Sequence, residues 1–217
     1  MSTKTAGRIC LVGGIVGAAQ AVGMLVVSPT VSSDRYSYPF DSTGYAVAQS
    51  SFFAQHLFLL VGVVALLGLP VVRASRGARF GVWLGLVGMI GLTIAELVAL
   101  SAHDAAVGSD RAGLVDAVYG IVVPLSGLGF LVAGIALLRG HRDPWAGADW
   151  LPMLVLVIGV FVFVPMTPAI IASYDAARIA IGVWMLLFGA LGLGLTRVSP
   201  ARAVSAAPGT PSSSRVA

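Results

Sequence analysis

The sequence predicts an all-α, polytopic membrane protein with six transmembrane helices, and three observations carry that prediction. Hydrophobic residues make up 58% of the 217-residue chain and charged residues only 10%, where soluble domains carry about 25% charge. The mean hydropathy is +0.95. Apolar stretches of roughly 20 residues recur along the chain, the length a helix needs to cross the hydrocarbon, while the alternating segments of about 10 residues that mark a membrane barrel do not occur. Six such spans fill one domain over residues 1–197 and leave no room for a separate soluble domain.

The first span runs from about residue 9 to 27, after Lys4 and Arg8. A positive start followed by small residues also suits a secretory signal, but the apolar run is longer than the roughly 7 to 15 residues of a signal core, so a retained helix is expected. Gly13, Gly14, Gly17, Ala18, Ala19 and Gly23 form overlapping small-xxx-small pairs that permit close approach of a neighbouring helix. Gln20, in mid-span, is expected to make an interhelical hydrogen bond rather than a ligand contact. Residues 28–48 then form the longest loop, with Tyr36, Tyr38 and Tyr45 read as headgroup anchors and a lid as the alternative.

The second span covers about 49–72, a basic turn holds Arg73, Arg76 and Arg79, and the third covers about 80–102. The fourth runs over about 114–138. A second basic turn with Arg139, His141 and Arg142 leads to the fifth, about 150–172, whose Pro165 and Pro168 should kink its far end. His141 is expected to be a solvated surface residue. The sixth runs over about 176–196, and the Pro-, Ser- and Ala-rich tail, 198–217, is expected to be disordered.

Lys and Arg fix the expected orientation, because they are enriched in cytoplasmic loops. With the N-terminus inside, Lys4, Arg8, Arg73, Arg76, Arg79, Arg139, Arg142, Arg197, Arg202 and Arg215 are cytoplasmic, against Arg35, Arg111 and Arg178 outside. Both termini are then cytoplasmic in a cell inner (plasma) membrane. The outer side collects Asp34, Asp41, Asp104, Asp110, Asp116 and Asp175, and the basic inner side suits anionic lipid headgroups. Basic residues confined to turns speak for topology rather than nucleic acid. The partners expected are the bilayer and, beyond it, other membrane helices or further copies of the chain.

Residues 56–66 (HLFLLVGVVAL) align with 128–138 (LGFLVAGIALL), matching Phe58 with Phe130, Leu59 with Leu131 and Gly62 with Gly134. A parallel duplication of the second–third and fourth–fifth hairpins is one reading, and chance in a Leu-, Val- and Gly-rich chain is the other.

The spans carry ionisable residues, which are costly in hydrocarbon and so mark candidate sites. His56 and Glu96 both fall roughly 9 to 11 Å below the outer ends of their spans. Gln49 and His56, and Glu96 and His103, are each seven apart and should share a helix face. Asp116 and Tyr119 lie at similar or shallower depth on the fourth span, and Arg178 opens the sixth. The candidate site is therefore an outward polar pocket of His56, Glu96, His103, Asp116, Tyr119 and Arg178, binding a small polar ligand, a proton or a cation. The competing reading is a structural tie between His56, or Arg178, and Glu96.

A metal site is disfavoured because Glu96 and His103 are about 10.5 Å apart along the axis, against the three- or four-residue spacing of helical ligand pairs. A single-histidine haem site has even less support, and no cofactor is expected. P-loop and G-x-S-x-G motifs do not occur, Lys4 is the last lysine and so leaves no Schiff-base candidate inside the bundle, and the lone Cys10 allows no intrachain disulfide.

The segments SYPF (37–40), AQH (54–56) and AEL (95–97), in an Ala-, Gly-, Val- and Arg-rich chain nearly free of lysine, resemble small six-helix membrane proteins of unknown function from high-GC bacteria. That resemblance implies no activity. Three functional readings follow from the residues: a transporter-like or sensing protein with an outward ligand pocket, an accessory or scaffold subunit with a structural His56–Glu96 tie, and, third, an intramembrane enzyme using Glu96 and His56 as acid and base.

Overall fold

The computed structural model describes residues 1–140 and 147–198, so His141 and the tail from residue 199 lie outside the described residues. Six helices are long and apolar enough to cross a membrane. The elements are α1 (Thr3–Val26), α2 (Ser42–Gly68), the short α3 (Pro70–Ala74), α4 (Arg76–Ala99) with a 3₁₀ turn (Leu100–Ala102), α5 (Asp110–Leu138), α6 (Leu151–Phe161), a π-helical turn (Val162–Met166), α7 (Thr167–Ala172) and α8 (Tyr174–Arg197). The chain is a multi-pass membrane protein of the all-α class, in which each span satisfies its own backbone hydrogen bonds as hydrocarbon demands.

Five of the six spans begin earlier than the apolar runs do, because a polar side chain caps each one. Ser2, Asp41, Ser75, Ser109 and Ser173 accept hydrogen bonds from the backbone N–H groups of Thr5, Gly44, Ala78, Ala112 and Ala176. Capping satisfies amides that a helix start leaves open, so helix continues through polar residues that carry no hydropathy signal. The second span also ends sooner than residue 72. Pro70 forces Leu69 into an extended conformation, which closes α2 at Gly68 and restarts the chain as α3. In the fifth span Pro165 is absorbed by the π turn, where the Thr167 hydroxyl donates to the Val162 carbonyl at 2.7 Å.

The helices close in the order α1, α2, α4, α5, α6–α7, α8, with α8 returning to α1. The most extensive packing lies within two antiparallel pairs, α1 with α8 and α4 with α5. Both pairs approach backbone to backbone through glycine. A Cβ on Gly14 would run into Gly189 N and Cα and the Met185 carbonyl; one on Gly129 would run into Gly85 N and Cα and the Gly81 carbonyl. Likewise Gly192 lies against Leu11 N and Cα, and Gly88 against Ser126 N and Cα.

The two seams therefore share a register. Gly14 and Leu11 on α1 correspond to Gly129 and Ser126 on α5, and Gly85 and Gly88 on α4 to Gly189 and Gly192 on α8. Since α1 and α5 cross in opposite directions, the two seams run in inverted senses. In the parallel alignment of 56–66 with 128–138, Gly62 and Gly134 are both buried, while Phe58 is 43% exposed and Phe130 fully buried. Between the pairs the centre is solid, with Phe130 of α5 edge-on to Phe188 of α8 at 5.5 Å and Phe188 edge-on to Trp184 at 5.0 Å.

These seams separate tolerant from intolerant glycines. Gly14→Leu and Gly129→Leu are each expected to destabilise the protein by about 1–3 kcal/mol or more through overpacking. Gly120, where an added Cβ meets nothing within 4 Å, should accept leucine with little change. Thermal unfolding midpoints of the three variants in one detergent check this.

Candidate functional site

One end of the bundle, here called the acidic end, carries the α1–α2 loop and the α4–α5 turn, and the two are joined. Tyr36 N–H donates to the Ala105 carbonyl at 2.9 Å and Val107 N–H to the Asp34 carbonyl at 2.7 Å. Arg35 adds a bond to the Asp104 carbonyl at 2.9 Å. The α1–α2 loop is thereby fastened across the bundle end, above the helix ends that carry the polar residues.

Beneath it, Glu96 of α4 is 5% exposed and His56 of α2 is 2% exposed. The Tyr119 hydroxyl, from α5, donates to Glu96 Oε2 at 2.9 Å. His56 Nδ1 stands 3.7 Å from Glu96 Oε1 but only 2.7 Å from the Phe52 carbonyl one turn earlier. A carbonyl can only accept, so Nδ1 carries the proton and gives it to Phe52, and 3.7 Å is too long for a second bond of similar quality. In the neutral ring Nε2 is then an acceptor, and it is buried without a hydrogen-bond partner. The direct interhelical tie to Glu96 is thus Tyr119, with His56 as a close neighbour.

Arg178 of α8 makes no ion pair with any described carboxylate. Its guanidinium lies 4.8 Å from the Tyr174 ring centroid, and Tyr174 is edge-on to Tyr38 of the loop at 5.4 Å. Arg178 Nε, Tyr174 Oη and, on α2, Gln49 Oε1 are also buried without hydrogen-bond partners. Tyr45, one turn above Gln49, reaches the Ala99 carbonyl of α4 at 3.2 Å.

Of the six candidates, the structure brings His56, Glu96 and Tyr119 together, while Arg178 stands over the Tyr174 ring. Asp116 is a rim residue, exposed and accepting the Tyr36 hydroxyl at 2.8 Å. His103 does not join them. It is exposed, with Nδ1 3.3 Å from Ser42 Oγ and 4.0 Å from Asp104 Oδ1. The seven-residue spacing from Glu96 misplaces it because α4 tightens into a 3₁₀ turn after Ala99, whose larger rotation per residue carries His103 off the Glu96 face. No group of three or more potential metal ligands occurs among the described residues. Gln20 makes interhelical bonds, donating to the Ala48 carbonyl at 3.0 Å and accepting from Ser51.

Sequence reasoning missed the protein contacts of Tyr36 and Tyr38, which meet Asp116 and Tyr174. Tyr45 had a readable signal. With Asp41 taken as helix cap, Tyr45, Gln49 and His56 fall on one face of α2. Comparison with protein-family models, curated proteins and solved structures returned no match, so the site rests on its chemistry alone.

Two outcomes are expected here. Tyr119→Phe leaves a buried carboxylate oxygen without its donor and should cost about 1–3 kcal/mol in unfolding measurements. Tyr36, outside the spans, has its phenol pushed above the ordinary range, first by burial and then by the Asp116 carboxylate. The folded state thus holds this proton more tightly than the unfolded chain. The contribution is fully present below the unfolded tyrosine value of about 10 and is lost as pH rises beyond it. Unfolding midpoints taken from pH 8 to pH 11.5 should fall less steeply in Tyr36→Phe than in the parent protein.

Proposed function

We propose that the protein binds a small polar ligand or ion at the acidic end of the bundle, as a transporter-like or sensing component of the inner (plasma) membrane. The placing of ten Lys and Arg residues on one side and three on the other supports cytoplasmic termini and an outward-facing acidic end. One observation carries the binding reading. His56 Nε2 and Gln49 Oε1 on α2, and Tyr174 Oη and Arg178 Nε on α8, are buried with no hydrogen-bond partner among the described residues. Each such atom costs about 1–3 kcal/mol when buried unpaired, and a polar ligand held among them would recover that cost. Acceptors, donors and both charge signs occur among these residues, which suits a hydrophilic or ionic guest rather than an apolar one.

The second reading, an accessory subunit, is favoured by the completeness of the Tyr119–Glu96 bond, which needs no ligand. It is weakened by the glycine seams. The small-residue faces that would have docked foreign helices are largely occupied within the chain, α1 by α8 and α4 by α5.

The test is a thermal-shift screen of the purified protein against alkali and alkaline-earth cations, small amines and amino acids. One class should stabilise the parent protein, by about 2.7 kcal/mol at a concentration a hundred times its Kd, and should not stabilise Glu96→Gln. No shift with any probe, or an equal shift in Glu96→Gln, would turn the assignment to the accessory reading.

A further inference from the structure

At the opposite, basic end of the bundle, on the hydrocarbon-facing side, a groove between α1 and α2 has a volume of about 290 Å³ and is lined by Arg8, Ile9, Val12 and Phe58. Its walls are fixed by two close approaches. Gly62 lies against Cys10, and Gly13 lies against the Phe58 Cβ. The lining is apolar throughout, Arg8 contributing only its aliphatic stem, with Val12 and Phe58 50% and 43% exposed. Beyond the groove α2 reaches Gly68, where an added Cβ would meet nothing within 4 Å.

Arg8 is exposed and has no ion-pair partner among the described residues. Lys4, one turn nearer the start of α1, is exposed on the same face and is likewise without one. An apolar channel leading away from two unpaired cations, at the end that also carries Arg73, Arg76 and Arg79, has the profile of one ligand class: acyl chain beneath, anionic headgroup above. We infer that this groove is a binding site for a single anionic phospholipid, its phosphate held by Arg8 and Lys4 and one acyl chain laid along Ile9, Val12 and Phe58. The inference is independent of the acidic-end site.

The test is native mass spectrometry of the full chain equilibrated with an equimolar mixture of dioleoyl phosphatidylglycerol and dioleoyl phosphatidylcholine. One phosphatidylglycerol should be retained in preference, and Arg8→Gln should lower that retention about fivefold, the effect of one cation near an anionic lipid surface. Val12→Trp, which fills the groove and keeps the charge, should lower it as well. Both variants should unfold at the parent temperature in phosphatidylcholine alone, separating lipid loss from misfolding. Equal retention of the two lipids, indifference to either substitution, or displacement of the lipid by inorganic phosphate would each overturn the assignment.

Discussion

Direct backbone contact between helices is the interaction on which this architecture rests. Inside a bilayer, lipid tails are as apolar as leucine, so burying side chains gives helices little reason to associate, and close van der Waals packing has to supply it. Glycine makes that packing available at Gly14 and Gly189 and again at Gly85 and Gly129. From these two seams follow the two rigid helix pairs, and from the pairs follows the space between them. Phe130 and Phe188, each adjacent in sequence to a seam glycine, fill that space at the centre.

The two seams share a register in inverted senses, and the polar equipment does not follow it. Glu96, His56, Tyr119 and Arg178 gather toward one end, where two loops are fastened together. The opposite end is basic. The seams repeat while the chemistry does not, which leaves the site to be explained by its own residues.

Much of this was legible in the sequence. The spans, their order and the charge difference between the two ends follow from transfer energetics, which act residue by residue. Glu96 and His56 stood out because an ionisable group in an apolar run is conspicuous by itself. Less local properties were not readable. The helix starts at Ser2, Asp41 and Ser109 depend on caps that look like loop residues, and the place of His103 depends on one tightened turn. Tyr36 acquires its role only when Asp34–Tyr36 pairs with Ala105–Val107 across the chain. The inverted register was hidden by abundance: among 27 glycines, the few that form the seams carry no distinguishing mark until the helices are placed.

The division into pairs also distributes a buried acid and a half-buried base. Glu96 belongs to the α4/α5 pair and Arg178 to the α1/α8 pair. Their separation is therefore a ruler for how the two halves of the molecule are set against each other.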